Sequence, residues 1–352
     1  SPQNVVLELA NVVDTTYTGI FHINITLEFY RRSHSDDVYG HGEASPHIDN
    51  AAAVAALFPT DGPADVIIPI SNSEPLPGLG HWLQVSSENE TAKVVFRPPS
   101  NIVRAVLEVC ISFHGNDEFW YTNPPNDYLE ANGLSGEPGN GPFREVQVFL
   151  DDGDGMQMVG AAWPFPTIFT GGINPLYWRP AAAIGAFNLP SYDIELTPFL
   201  GLLMDGNNHT ISMRVKNADG SWPLGANLHL WLDPHTLQTS ATLLSYHVPP
   251  LALHDTSSFQ GLDGEFHTNA HRFLSFSAYI ISSFGTIFIN VSYSFAFNNA
   301  MLLHNNSSVQ IVTQDIQTKG EVVVAEMTSN VTFSQQTTHT FPLYLYCSLD
   351  SG

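Results

Sequence analysis

Ile102-Val103-Arg104-Ala105-Val106-Leu107-Glu108-Val109-Cys110-Ile111-Ser112-Phe113 is a strand-like run. It leads directly into His114-Gly115-Asn116-Asp117-Glu118-Phe119-Trp120-Tyr121, where two carboxylates stand beside three aromatic rings. A loop rich in glycine and proline follows, then Gly141-Pro142-Phe143-Arg144-Glu145-Val146-Gln147-Val148-Phe149-Leu150. The stretch closes with Trp163-Pro164-Phe165 and with Thr170-Gly171-Gly172-Ile173-Asn174-Pro175-Leu176-Tyr177-Trp178-Arg179-Pro180. Flat aromatic faces beside acids, on loops between strands, suit sugar recognition combined with acid–base chemistry.

The strand signal extends on both sides of this region. Upstream, runs at 5–9, 20–30, 66–70, 82–85 and 92–97 read as strands, and Pro98-Pro99-Ser100 marks a boundary. The alanine-rich run 50–57 is the best helix candidate and reads equally as loop, being short. Downstream, runs at 145–150, 158–162, 191–196, 210–215 and 228–232 are separated by Asp205-Gly206-Asn207-Asn208 and Asp219-Gly220, turns that exploit the αL tolerance of Gly, Asn and Asp. Residues 233–248 read as a polar linker. Further runs at 273–281, 285–295, 309–312, 321–325 and 340–346 make a third unit. The fold class is therefore all-β, with units expected at 1–98, 101–235 and 236–352, the last cut short at Gly352.

Composition narrows the function. The chain has 352 residues, 34 Asp plus Glu against 11 Lys plus Arg, and a net charge of −23. That balance opposes nucleic-acid binding and docking on anionic membranes, and fits an acidic compartment. Hydrophobic residues at 43% suffice for real cores. The 15 histidines are scattered, without HExxH or a tight His/Cys cluster, so no metal is expected. There is no Walker A sequence, no GxGxxG, and no apolar run long enough to cross a bilayer. Cys110 reads as a small buried hydrophobe, and Cys347 is far from it in sequence. Sequons at Asn24, Asn89, Asn208, Asn290, Asn305, Asn306 and Asn330 point to the secretory pathway, with a secreted, vacuolar or extracellular location.

Several central residues carry two readings at once. Asp117 or Glu118 in an aromatic wall would have a raised pKa and serve as acid or proton relay; as a solvated loop the pair would do neither. Arg144 and Glu145 read as a mutual ion pair or as ligand contacts. Trp163, Tyr177 and Trp178 suit stacking on sugars and suit a sandwich core equally. Trp222 and Trp231 fit a core best.

The motifs together resemble a known family. Asn116-Asp117-Glu118-Phe119-Trp120-Tyr121, Gly139-Asn140-Gly141-Pro142-Phe143-Arg144-Glu145-Val146, Trp163-Pro164-Phe165, Phe169-Thr170-Gly171-Gly172-Ile173-Asn174-Pro175, Trp178-Arg179-Pro180, Tyr192-Asp193-Ile194-Glu195, Asn227-Leu228-His229-Leu230-Trp231-Leu232-Asp233 and Phe341-Pro342-Leu343-Tyr344-Leu345-Tyr346 closely resemble the peptide-N-glycosidase A family, the acidic glycoprotein amidases of plants and fungi. The likeness spans nearly the whole chain.

The resemblance implies hydrolysis of the amide between Asn and the proximal N-acetylglucosamine of an N-glycan, at acidic pH, without metal or other cofactor. Core α1,3-fucose would be accepted. It implies two jelly-roll-like β-sandwiches side by side, the first incomplete at its N-terminus, with the cleft between them, plus a C-terminal β-rich region. An essential aspartate, in an Asp-Arg-Ile motif, would precede Ser1. Carried onto this chain, Glu118 is the first acid–base candidate and Asp117 the second. Arg144 and Glu145 would contact the chitobiose, Trp120, Trp163 and Trp178 would stack on sugar, and Asn11 would face the cleft. Partners would be N-glycopeptides and N-glycoproteins, and a cleaved N-terminal or C-terminal segment of the same precursor, with no nucleic acid or membrane. The alternative is an N-glycan-binding sandwich without catalysis; a third reading is a structural β protein whose aromatics are all core.

Overall fold

A computed structural model describes residues 13–16, 18–20, 22, 24–26, 58, 63–77, 79–151, 155–167, 189–327 and 332–349. The strands, in chain order, are β1 (Val66–Ile70), β2 (Leu83–Val85), β3 (Ala92–Phe96), β4 (Ile102–Ile111), β5 (Glu145–Asp151), β6 (Met156–Ala162), β7 (Tyr192–Glu195), β8 (His209–Lys216), β9 (Trp222–Leu232), β10 (Ser240–His247), β11 (Ala252–Gln260), β12 (Asp263–Ser282), β13 (Gly285–His304), β14 (Val309–Glu326) and β15 (Thr332–Ser348). Two short helices, α1 (Asn126–Ala131) and α2 (Leu200–Leu203), interrupt them.

Two antiparallel sheets make a sandwich. One runs β1-β9-β4-β7, with β2 also on β9; the other runs β3-β8-β5-β6. Period-2 alternation sets the orientation. In β4, Ala105, Leu107, Val109 and Ile111 are buried, while Arg104, Val106, Glu108 and Cys110 take the opposite, half-buried face. In β9, Leu224, Ala226, Leu228 and Leu230 join the core and Asn227, His229 and Trp231 share the outer face with Glu108.

This arrangement corrects the expected division at residues 98–101. Strands β1 and β2 hydrogen-bond to β9, and β3 to β8, so residues 66–96 and 102–232 build the same two sheets. Long-range pairing crosses the Pro98-Pro99 boundary, which marks only a turn. The helix candidate at 50–57 and the strand at 5–9 lie outside the described residues. Of the expected strand at 20–30, only 20, 22 and 24–26 are described, and these carry no regular structure.

Strands β10 to β15 form a six-stranded antiparallel sheet, ordered β10-β12-β13-β14-β15, with β11 also on β12. The expected linker at 233–248 therefore contains a strand, β10, and the two short runs at 309–312 and 321–325 are parts of β14. β10 and β11 share one edge of β12, pairing with 275–281 and 263–271 respectively. Pro249 and Pro250, which have no N–H to donate, separate them. Asn305, Asn306 and Ser307, at φ of 54, 57 and 62, turn β13 into β14. Asp263 Oδ1 accepts the N–H groups of Asn306 and Ser307 (2.8 and 3.3 Å), fixing that turn.

The long sheet closes the open side of the sandwich. β6 and β7 are edge strands of their respective sheets, and exposed edges invite unwanted pairing. Tyrosines from the long sheet occupy them. Tyr293 Oη accepts the Glu195 N–H (2.8 Å), and Tyr246 Oη donates to the Met158 carbonyl (3.1 Å). Between these points Trp163 packs on Phe143 and Phe295, and Phe199 packs on Phe276. At the centre, Arg272 of β12 donates from Nε and Nη2 to the two oxygens of Glu145 on β5 (2.8 and 2.6 Å). Glu145 is fully buried, with further donors from Trp163 Nε1 and Gln147 Nε2 at 3.2 and 2.6 Å.

Removing one member of such a pair leaves an uncompensated buried charge. Arg272→Ala is expected to cost about 3–5 kcal/mol in denaturant unfolding. The double variant Arg272→Met with Glu145→Leu recovers much of that loss, and a double variant no better than Arg272→Ala would contradict this account of the interface.

Candidate active site

The expected acid pair separates once placed in the fold. Asp117 is fully buried and saturated. Its Oδ1 accepts from Arg144 Nε and Nη2 (3.1 and 2.5 Å) and Asn123 Nδ2 (3.3 Å). Its Oδ2 accepts from the Asp219 and Gly220 N–H groups and Trp222 Nε1 (2.8, 3.0 and 2.6 Å). Gly220 permits this approach, since a Cβ there would lie 2.5 Å from Asp117 N. Arg144 spends its remaining donors on the carbonyls of Gly139, Gly141 and Phe143. Asp117 and Arg144 thus staple the 115–123 and 139–144 loops to the start of β9, with no valence left for a substrate.

Arg144 and Glu145 do not pair with each other. Adjacent residues on an extended chain point to opposite sides; Arg144 meets Asp117 while Glu145 meets Arg272. Trp120 and Trp163 are 0% and 1% exposed, so neither offers a face for stacking on sugar. Trp120 packs edge-on against Phe113 and Tyr121. Glu118 is half-buried and lies outside the cavity described next. Asn11 and Trp178, with Tyr177 and the Gly171-Gly172 turn, lie outside the described residues. Asn89 and Asn306 are exposed in turns and Asn24 and Asn208 are exposed, whereas Asn290 is half-buried in β13 and Asn330 is not described.

A cavity of about 420 Å³ opens where the outer face of the β4-β7 sheet meets the inner face of β13, β14 and β15. Arg104, Asp193, Glu195, Tyr293 and His339 contribute to its walls. Glu108 adjoins it, directly opposite Asp193 on the paired strands β4 and β7. Glu195 is buried, accepts from Arg104 Nε and Nη2 (3.2 and 3.1 Å), and is held by the Thr197 hydroxyl. Burial pushes the Glu195 carboxyl up against the pull of Arg104 and Thr197. Arg104 itself lies over the rings of Phe58 and Trp231 at 4.7 and 4.9 Å, which fixes its planar head.

Glu108 and Asp193 have opposite environments. Burial raises Glu108, but hydrogen bonds from Asn227, His229 and Ser191 outweigh it and hold the carboxyl below its ordinary value. The Asn227 and His229 contacts are 3.1 and 3.3 Å. Asp193 is exposed in β7, yet partial desolvation by the groups around it raises its carboxyl, the Glu108 charge adds to that, and the charges of His229, Arg104 and His339 only partly oppose it. Glu108 is thereby more acidic than an ordinary glutamate and Asp193 less acidic than an ordinary aspartate. Cys110, next along the same face, has its thiol pushed up by burial and by both carboxylates, so it is protonated and not a nucleophile.

Among the described residues no group of three His, Cys, Asp or Glu could hold a metal ion, and no helix is long and apolar enough to cross a membrane. The sequence motifs contained Asp193, Glu195, Asn227 and His229, yet gave them no role. The signal was the alternation Arg104-x-x-x-Glu108 and Asn227-x-His229-x-Trp231 on strands otherwise apolar: a polar stripe on one sheet face.

The signs of the two shifts fix the pH behaviour. Glu108, depressed, contributes stability above its unfolded value that is lost as pH falls through its folded one. Asp193, raised, opposes folding once pH exceeds its folded value and ceases to do so in acid. Carboxyl-carbon NMR titration should find Glu108 below the ordinary glutamate value and Asp193 above the ordinary aspartate value. Asp193→Asn should raise Tm at neutral pH and lose that advantage in acid; ordinary values for both carboxyls would contradict the assignment.

Comparison with known proteins agrees with this architecture. Residues 1–249 match the family described as peptide N-acetyl-beta-D-glucosaminyl asparaginase amidase A, and residues 265–343 match the PNGase_A C-terminal domain. A Prunus dulcis protein named peptide-N4-(N-acetyl-beta-glucosaminyl)asparagine amidase A is 45% identical over 346 residues, covering 98% of this chain. The chain spans 58% of that relative's length. By the extent of both matches, the chain belongs to the peptide N-acetyl-beta-D-glucosaminyl asparaginase amidase A family.

Proposed function

We propose that the protein is a glycoprotein amidase hydrolysing the bond between an asparagine side chain and its proximal N-acetylglucosamine, with Glu108 and Asp193 as its acid–base pair. The observation that carries this reading is the pair itself: neighbouring carboxyls with opposite pKa displacements, Asp193 on the wall of a cavity and Glu108 paired with it on the adjoining strand. Family membership supports the reaction class, and since the chain spans 58% of the relative's length, the activity is proposed for the whole protein.

In this mechanism Glu108, ionised, takes a proton from water as the oxygen attacks the side-chain amide carbon. Asp193, neutral, gives its proton to the amide nitrogen as the carbon–nitrogen bond breaks. The products are a peptide aspartate and a glycosylamine, which consume one water between them. General acid–base assistance of this kind contributes roughly 10²–10⁴-fold. The Arg104–Glu195 pair is a positioning element: it sits beside Asp193 and, with Thr197 and Tyr293, holds β7 at its place in the wall. Trp231, stacked on His229 with centroids 6.5 Å apart, keeps the imidazole against Glu108. A location in the secretory pathway belongs to the same reading, supported by the exposed sequons at Asn24, Asn89, Asn208 and Asn306. N-glycopeptides and N-glycoproteins are the proposed substrates.

The test is incubation with an N-glycopeptide at acidic pH, read by mass spectrometry for conversion of Asn to Asp. Release is expected, and Glu108→Gln and Asp193→Asn should each lower kcat by roughly 10²-fold or more without loss of fold. Glycopeptide binding without release would favour the non-catalytic glycan-binding alternative. Undiminished release by both variants would overturn the assignment of the pair.

A further inference from the structure

The wall facing the acid pair belongs to β15, and its chemistry changes along the strand. Side chains on the inner face of β15 alternate with outward ones. Leu345 is buried, and Leu343 and Phe341 pack partly buried against the core. Beyond Phe341 the inner face turns polar: His339, Thr337 and Gln335 follow at every second position, all exposed and all lining the cavity. Their partners on β14, Thr318, Gly320 and Val322, line it as well. The buried face of β12 also carries polar residues, Thr268 and Arg272, but these are buried and bonded to Asp255 and Glu145, whereas the polar residues of β15 are exposed to the cavity.

Among the described residues nothing hydrogen-bonds the side chains of Gln335, Thr337 or His339. Together they offer amide, hydroxyl and imidazole groups, a mixture of donors and acceptors without a fixed charge. Phe341 adds a flat ring, parallel to His339 with centroids 6.0 Å apart and held edge-on by Phe165 at 5.2 Å. Gly320 leaves the space that the Tyr293 ring fills, since a Cβ there would lie 3.3 Å from it. The cavity's charged lining is balanced, Asp193 and Glu195 against Arg104 and Lys319, with Glu195 paired to Arg104, so a neutral ligand suits it best.

We propose that Gln335 and Thr337, with His339 and Phe341, form a subsite on the C-terminal sheet for the neutral sugar units beyond the one that joins the peptide, so that this sheet determines glycan specificity. The inference rests on the reading of the cavity as the catalytic site. The amide at the acid pair and the sugar units at β15 would then occupy opposite walls of one enclosure.

Calorimetric titration of the full chain tests it, with two ligands: a free neutral oligosaccharide of N-acetylglucosamine and mannose, and free N-acetylglucosamine. The wild-type protein should bind the oligosaccharide more tightly. The double variant Gln335→Ala with Thr337→Val should weaken oligosaccharide binding about tenfold, the loss of a few hydrogen bonds, with about twofold change or less for N-acetylglucosamine. Both residues are exposed, so Tm should hold; if it falls, Thr337→Val alone, which preserves shape, gives the same comparison. Unchanged oligosaccharide affinity, an equal loss for both ligands, or tighter binding of a sialylated oligosaccharide would each overturn the subsite. Glycopeptide release by the same preparations is scored separately. Binding with the expected selectivity but no release would sink the amidase reading alone, and release without selectivity would sink the subsite alone.

Discussion

The buried contact between Glu145 and Arg272 is the joint on which the molecule depends. A two-sheet sandwich of this size would leave β6 and β7 as bare edges along one side. The long sheet covers them, and the guanidinium-to-carboxylate fork sets where it lands, because planar two-point geometry tolerates little sliding. Tyr293 and Tyr246 then meet backbone groups of the edge strands, and the Phe143, Trp163 and Phe295 rings fill the space between. The same landing leaves the 420 Å³ cavity, since inner-face residues of β15 are polar where β7 and β4 approach. Function is thus a consequence of how two β layers dock, more than of any single loop.

Within that cavity the chemistry follows from uneven solvation. Glu108 and Asp193 are neighbours across a strand pair, so ionising both at once costs Coulomb energy. Hydrogen bonds from Asn227, His229 and Ser191 all favour charge on Glu108. Among the described residues no hydrogen bond favours charge on Asp193, and desolvation with the Glu108 charge outweighs the pull of His229, Arg104 and His339. Asp193 therefore holds its proton to higher pH than an ordinary aspartate does. An acid with a raised pKa can remain a donor at mildly acidic pH, where an ordinary aspartate would already have lost its proton.

The all-β class was legible from alternation and from turn residues, and the family from long motifs. Pairing partners were not, because nothing local tells Val66–Ile70 that its neighbour is β9 rather than a strand of an earlier unit. Most of the expected site residues are buried in the fold, for an instructive reason, while Asn11 and Trp178 lie outside the described residues. Asp117, Arg144, Trp120 and Trp163 stand out in a sequence with few charges, but scarcity marks buried polar anchors as well as catalytic groups. Asp117, Arg144 and Trp163 are hydrogen-bonded within the fold, and Trp120 is buried among aromatic rings. The working candidates, Glu108 and Asp193, looked ordinary, since a lone acid in a strand acquires meaning only when the opposite strand places another acid beside it. The contribution of β15 was equally hidden: a Thr- and Gln-rich strand reads as solvent-exposed until its inner face is known to line a cavity.

The most direct test of this account is a crystal structure of the Asp193→Asn variant with an uncleaved N-glycopeptide. The account places the asparagine side-chain amide between positions 108 and 193, with its nitrogen within hydrogen-bond reach, about 2.6–3.2 Å, of residue 193. A glycopeptide seated elsewhere, with the cavity between β7 and β15 filled only by solvent, would contradict it.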